Sequence, residues 1–257
     1  MAEGLKAVNV TQDNFCGLPC CGIKDTENEG HERKSKWLKT YFKRDLQARV
    51  LLAEKNVQCG YIEYLPGQYA WREVEADDYM FIHCIWTFFK KSQRKGYGRL
   101  LIQACVDDAK RAKMKGVAVL ARKRPWLAGS SIFLRNGFEI VGRVPPDYEL
   151  LVRRLSKTAP NPRFKDRWDQ RLKKYGKGLT IIRANQCPHT IRFGDRIAEV
   201  VERVYGLKPR IVELKTYQQA QNAPTRYAVF AVIYDGQLLA DHQISAERFK
   251  NIMNEIL

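Results

Sequence analysis

Two periods of apolar spacing run through the first half of the chain. From His31 to Gln47, Trp37, Leu38, Phe42 and Leu46 recur at helical spacing among many basic residues, which predicts an amphipathic helix with a cationic outer face. Two short strands are expected next, Arg49–Ala53 and Gln58–Tyr64, separated by a turn containing Asn56. A loop with Pro66, Gly67, Tyr69 and Trp71 leads into the longest apolar run, read as a strand over residues 79–88. Between Arg99 and Met114, Leu101, Ile102, Cys105, Val106 and Ala109 fall on one side of a second helix. Gly116–Leu120 is apolar without alternation, the pattern of a strand covered on both faces. A short helix over 129–136 is expected to stop at Gly137, and strands at 138–141 and 149–155 complete the unit.

The pattern changes after residue 156. Ala159-Pro160-Asn161-Pro162 interrupts regular structure, and Phe164, Trp168 and Leu172 then repeat every fourth residue in a charged stretch, as in a short helix within a linker over 157–177. From Gly178 the order is strand (Leu179–Arg183), Cys187-Pro188-His189-Thr190, a helix burying Phe193, Ile197, Val200, Val201 and Val204, then strand Arg210–Leu214. A hairpin follows around Asp235-Gly236, and a last helix capped by Ser245 turns Phe249, Ile252, Met253 and Ile256 inward. The expected organisation is therefore a mixed α/β domain over 1–156, a basic linker over 157–177 and a smaller α/β domain over 178–257.

Composition narrows the function classes. The 257 residues are 45% hydrophobic, and no apolar run reaches the roughly 20 residues that span a bilayer. Met1-Ala2-Glu3-Gly4-Leu5-Lys6 has no apolar signal core, and seven irregularly spaced cysteines fit reduced thiols in a cytoplasm better than disulfide staples. The net charge of +17 is divided as +9 over residues 1–156, +6 over the linker and +2 beyond it. Such an excess favours anionic partners: a polyphosphate cofactor, an acidic substrate, or nucleic acid held weakly through phosphates. Zinc-finger spacing and RNA-binding aromatic motifs are absent, so nucleic acid is the less favoured partner.

The stretch between the long strand and its helix carries the chemistry. Gln93-Arg94-Lys95-Gly96-Tyr97-Gly98 is a basic glycine turn that opens a helix. Glycines let the backbone approach an anion, and the first helical N–H groups point at it with the positive end of the helix dipole. Gln93-x-x-Gly96-x-Gly98 resembles the acetyl-CoA-binding motif of the Gcn5-related N-acetyltransferases. Ser131-Ile132-Phe133-Leu134-Arg135-Asn136-Gly137-Phe138 resembles that family's late helix ending in Gly-Phe. The resemblance covers roughly residues 35–155 and implies the family's mixed-sheet fold, acetyl-CoA as co-substrate and transfer of its acetyl group to an amine acceptor. Carried over, it implies diphosphate binding by Gln93, Arg94, Lys95, Gly96, Tyr97, Gly98 and Arg99. It also implies pairing of the pantetheine arm with the strand at Ile85, Trp86 and Thr87. The family often has a tyrosine four residues before the late glycine to protonate the departing thiolate; here that position is Phe133, which leaves a non-catalytic acyl-CoA sensor as an alternative.

An amine must lose a proton before it attacks, since an alkyl ammonium titrates near pH 10. Glu63 and His83 are the candidate bases, acting directly or through a water, each with a plain alternative as an exposed strand carboxylate and a hydrogen-bonded core histidine. Tyr64, Tyr69 and Trp71 are candidates to wall the acceptor pocket or simply core aromatics. In the last 80 residues, the β-Cys-Pro-x-x-α-β…Pro-β-β-α order is similar to a thioredoxin-like fold, with Pro224 where that fold has its cis-proline and Thr190 in place of the second cysteine. The pairing of the two units resembles the YoaP-type acetyltransferases. A helix N-terminus lowers a thiol pKa, so Cys187 is a candidate reactive thiol, with a ligand-binding thiol or a remnant of the fold as the alternative, Cys20 and Cys21 as further thiol candidates and a redox protein as the rival function. No metal site is expected.

Overall fold

The structure, a computed structural model, describes residues 5–18, 21, 23, 27–87, 95–123 and 125–257. In chain order it contains β1 (Lys6–Val10), α1 (Glu29–Phe42), β2 (Gln47–Leu52), β3 (Gln58–Pro66), β4 (Val74–Glu75) and β5 (Tyr79–Thr87). Next come α2 (Tyr97–Arg111), β6 (Gly116–Ala121), α3 (Ser130–Leu134), β7 (Glu139–Val144), β8 (Tyr148–Arg154), β9 (Arg163–Phe164) and α4 (Trp168–Leu172). The remainder is β10 (Leu179–Ala184), α5 (Thr190–Tyr205), β11 (Arg210–Leu214), α6 (Tyr217–Gln221), β12 (Phe230–Tyr234), β13 (Gln237–Ala240) and α7 (Ala246–Ile256).

Seven strands form one sheet in the order β1-β2-β3-β5-β6-β8-β7. Every neighbouring pair is antiparallel except β5 and β6, which run parallel from Tyr79↔Gly116 to Ile82↔Val119. A parallel pair needs a crossover, and α2 provides it on one face, burying Leu101, Ile102, Cys105, Val106 and Ala109 against the sheet. Asp108 fixes that helix: its carboxylate accepts from Arg49 at 2.7 Å and from the Tyr64 hydroxyl at 2.6 Å. Phe133 and Phe138 complete the same layer, their rings 5.5 Å apart.

On the opposite face lie α1 and the C-terminal unit, whose four strands are ordered β11-β10-β12-β13 with β10 and β11 parallel. A single apolar cluster runs from Trp37, Leu38 and Tyr41 through Tyr61, Trp71 and Phe81 into Ile181, Tyr227, Phe230 and Phe249. Asn28 caps α1 by accepting from the Gly30 N–H, with Glu29 and Glu32 in its first turn.

One expected boundary changes and one strand is added. The polar edge strand β1 has too few apolar positions to stand out and is held by its register on β2. The first helix ends at Phe42 instead of Gln47, because Asp45 takes a left-handed conformation (φ 60°) and the Leu46 N–H turns back to the Tyr41 carbonyl. The stretch 157–177 contains the short helix α4 and is tied to its surroundings: β9 pairs with β4, and the buried Glu73 carboxylate receives Arg171 at 2.6 Å and Arg226. Among the described residues, no helix is long and apolar enough to cross a membrane.

Candidate functional site

The sheet opens where β5 and β6 stop pairing. Their ladder ends at Ile82↔Val119, yet β5 continues to Thr87 and β6 to Ala121. Main-chain groups of residues 84–87 therefore leave the ladder beside β6, and their side chains turn from buried to half-buried or exposed. A register shift against β3 takes Glu63↔Cys84 to Tyr64↔Ile82 and makes His83 the extra residue on β5. Such a bulge re-aims side chains, so His83 and the adjacent Cys84 both belong to the α1 face. The outcome is a slot in the sheet.

The N-terminus of α2 stands at one end of this slot. Gly96 is its N-cap, left-handed at φ 78° with no side-chain cap and nothing within 4 Å of where a Cβ would sit. First-turn N–H groups are left without intrahelical partners there, next to Lys95 and Arg99, which suits an anion. Gly98 serves another purpose: a Cβ there would lie 2.4 Å from Ile132 Cδ1, so this glycine lets α2 approach α3. Tyr97 is buried among the α2-side apolar residues. Ile85 and Thr87 are half-buried and Trp86 is exposed, on the part of β5 that runs beyond the β6 ladder. Gln93, Arg94 and Cys20 lie outside the described residues.

Glu63 and His83 are brought together under the C-terminal unit, both fully buried. Glu63 Oε2 receives Lys34 Nζ at 2.5 Å and the Tyr61 hydroxyl at 2.7 Å; Oε1 receives Gln186 Nε2 at 3.0 Å. The carboxyl is held well below the usual range: burial opposes ionisation, and the Lys34 charge with His83 overcomes it. His83 Nε2 accepts the Trp71 N–H at 2.8 Å, so the neutral ring carries its proton on Nδ1, 3.6 Å from Glu63 Oε1. Burial lowers the His83 pKa to about 4 despite that carboxylate. Arg72 closes the node, donating to the His83 carbonyl at 3.2 Å and to Gln186 Oε1 at 3.3 Å. Glu63 is thus a buried ion-pair partner and not an exposed strand carboxylate. Tyr64 faces Asp108 on the α2 side, and Trp71 packs edge-on against Trp37 and Tyr41; neither borders the slot. Tyr69 packs on Tyr217.

A chain of contacts surrounds the slot on the α1 face. Cys84 Sγ on β5 is 3.2 Å from Cys21 Sγ. The Cys21 carbonyl accepts from His189 Nε2 at 3.1 Å, and the His189 ring lies 5.5 Å from that of Trp126. Trp126 Nε1 donates to the Gln243 carbonyl at 2.8 Å. The neighbouring His242 places Nδ1 2.5 Å from Asp241 Oδ1, and Arg122, directly after β6, contacts Asp241 at 3.2 Å. The Tyr148 hydroxyl on β8 donates to Asp241 Oδ2 at 2.7 Å. The short Asp241 contact places the His242 proton on Nδ1, and Nε2 is buried with no partner among the described residues. Charge and hydrogen bonding to His242 and Tyr148 hold the Asp241 carboxyl down at about 2 against its burial.

Cys187 reverses its expectation. It is buried, accepts from Gln243 Nε2 at 3.4 Å, and burial pushes its pKa up to about 11. The helix dipole is outweighed because apolar surroundings penalise the thiolate more than one helix end stabilises it. Thr190, at the second-cysteine position, is buried with its hydroxyl donating to the carbonyls of Ala184 and Cys187. The cis peptide among the described residues is Pro145–Pro146; Ala223–Pro224 is trans. Sequence reasoning missed Lys34, Cys84, Gln186, Arg122, Asp241 and His242. Lys34 alone carried a signal, since it shares the stripe of Trp37, Leu38 and Tyr41 on α1.

Comparison with known proteins returns to the same theme. The chain is similar to a YoaP protein along nearly its whole length. The relative, from Bacillus subtilis (strain 168) and named "Uncharacterized N-acetyltransferase YoaP", is 26% identical over 253 residues, spanning 97% of this chain and 98% of its own. The family described as YoaP-like matches residues 210–251. Among solved structures, yncA from Salmonella typhimurium, described as "a putative acetyltransferase" and solved with its cofactor acetyl-CoA, is 16% identical with a TM-score of 0.43, over 62% of this chain and 99% of that one. YhbS from Escherichia coli, a GNAT family N-acetyltransferase in complex with CoA, is 15% identical with a TM-score of 0.42, over 61% and 84%.

Proposed function

We propose that the chain is an acetyl-CoA-dependent N-acetyltransferase that moves an acetyl group to an amine by direct attack on the thioester. The observation that carries the reading is the slot between β5 and β6 with the open, left-handed Gly96 turn at its end. The whole-length similarity to a protein named as an N-acetyltransferase supports it. In this reading Lys95 to Arg99 hold the diphosphate, with Gln93 and Arg94 completing the turn. Ile85, Trp86 and Thr87 offer main-chain groups to the pantetheine arm. A backbone N–H of β5 beyond the β6 ladder faces the thioester oxygen, a contribution of about 3–4 kcal/mol if it acts as other oxyanion donors do. The C-terminal unit is read as thioredoxin-like in topology, supported by its strand order and by its parallel β10–β11 pair.

Glu63 and His83 enter as the pair that fixes the slot wall. Both Glu63 oxygens have donors and His83 offers only an N–H, so the amine proton passes to a group with an open lone pair. His242 Nε2, oriented by Asp241, is that group, and the C-terminal unit contributes it.

CoA-thiol release over a panel of amines, with acetyl-CoA affinity measured by calorimetry, tests the reading. Gly96→Asp sets a carboxylate in the anion seat, and affinity should fall roughly tenfold or more. His242→Gln should lower turnover by about 100-fold while acetyl-CoA affinity is kept. Tight binding without CoA release on any amine would favour the acyl-CoA sensor, in which Phe133, buried in the α2-side core, is purely structural.

A further inference from the structure

Three thiols meet where the C-terminal unit covers the slot, and acetyl transfer uses none of them. Cys187 is buried, hydrogen-bonded and held protonated. Cys21 and Cys84 are different: both are half-buried, they come from segments 63 residues apart, and their sulfurs stand 3.2 Å from each other. A disulfide bond is about 2.05 Å long, so closure asks for little over an ångström of side-chain travel. Cys21 sits in a left-handed conformation (φ 47°) on a segment between β1 and α1, and its carbonyl is held by His189 of α5. Cys84 lies on β5 just past the end of the β6 ladder, on the wall of the slot.

We propose that Cys21 and Cys84 form a thiol–disulfide exchange site for small-molecule disulfides, and that closing it ties Cys21 to the slot wall where β5 runs beyond the β6 ladder. The electrons balance in two exchanges. The Cys84 thiolate attacks one sulfur of a small disulfide, breaking its S–S bond and releasing one thiol after protonation by water. Cys21 then gives up its proton and attacks Cys84 Sγ, expelling the second small thiol. The protein loses two hydrogens as its Cys21–Cys84 bond forms, and one small disulfide is reduced to two thiols. Cys84 stands on the slot wall, where a small disulfide would enter, which assigns the first attack to it; the hydrogen bond with Cys84 and burial keep the Cys21 proton in place until then. The groups facing Cys21 on other elements, Lys34 on α1, Glu63 on β3 and His189 on α5, are not consumed in either step. In a reducing compartment the bond is transient, which is the behaviour of a sensing pair and not of a staple.

The fully reduced chain is incubated with oxidised glutathione, quenched with an alkylating agent and examined by intact mass and peptide mapping. The expected product has lost two alkylatable thiols, carries no retained glutathione, joins Cys21 to Cys84, and reverts with dithiothreitol. Cys84→Ser and, as an independent variant in the other segment, Cys21→Ser should each stop at a mixed disulfide or remain unmodified, whereas Cys187→Ser closes normally. Loss of two thiols that persists in Cys84→Ser would assign the bond elsewhere and overturn the site. Closure that leaves CoA release unchanged would overturn its control of the slot. The thiol count is independent of acetyl transfer, so the site stands or falls separately from the enzyme reading.

Discussion

Burial sets the charge of His83 against a carboxylate 3.6 Å away. The ring faces Glu63 on β3, Arg72 and Lys34 on α1; two of the three are cations, and its acceptor nitrogen is taken by the Trp71 N–H. With a folded pKa of about 4 against an ordinary 6.5, the unfolded chain binds a proton that the folded chain refuses. Stability from this group is therefore full above about pH 6.5 and declines as pH falls towards 4, by roughly 3 kcal/mol at the limit. Urea unfolding at pH 7 and pH 5 should show the wild type losing more stability than His83→Gln, whose amide can still accept from Trp71. Equal losses in the two proteins would mean that His83 is charged in the folded state. Glu63 and Asp241, both depressed, keep their stabilising effect down to the ordinary carboxylate values of 4.5 and 3.8 and so do not enter between pH 7 and pH 5.

Helix α1 shows what a pattern reveals and where it stops. Trp37, Leu38 and Phe42 announced the amphipathic helix, and its basic residues were read as one solvated face. Lys34 instead points inward, with Nζ on Glu63, on the Gln186 carbonyl and 4.0 Å from the Trp37 ring centroid. Charge alone argues for solvent; only the partner on β3 makes burial tolerable, and that partner is set by tertiary contact. The same helix contains Gly30, which looks like a weak point because glycine costs about 1 kcal/mol against alanine inside a helix. Its packing reverses the sign. A Cβ at position 30 would lie 2.1 Å from the Pro188 carbonyl oxygen, a backbone atom of the C-terminal unit. Gly30→Ala should therefore destabilise by about 1–3 kcal/mol in thermal or urea unfolding, where helix propensity alone predicts a gain. A measured gain would show that α1 and the Cys187–Pro188 turn are not in contact.

Across the whole molecule, what the sequence made legible followed from local rules. The Gly96 turn, the long strand and the Gly137 helix stop are each visible in a few neighbouring residues; the structure places Gly96 at the N-cap of α2, β5 over Tyr79–Thr87 and a left-handed Gly137 after α3. The enclosure of the slot was not visible, since Cys21, Cys84, Trp126, His189 and Asp241 meet across separations that no short window contains. The same long-range contacts bear on how the chain unfolds. The apolar cluster is continuous from Trp37 to Phe249, and the polar contacts that cross it, Lys34–Gln186, Glu63–Gln186, Arg226–Glu73 and Tyr148–Asp241, are buried or nearly so. Separating the two sheets would expose that surface, take Gln186 from Lys34 and Glu63 and take Arg226 from Glu73, so neither unit gains by opening alone. Phe249, fully buried on α7, is far in sequence from the slot, and replacing it by alanine should cost about 3–5 kcal/mol. If unfolding is cooperative, native-state hydrogen exchange in Phe249→Ala should lower protection in β5 and β6 by the same free energy as in β10 and β12. If instead protection falls in β10 and β12 while β5 and β6 keep wild-type values, the units unfold separately and the shared core does not couple them.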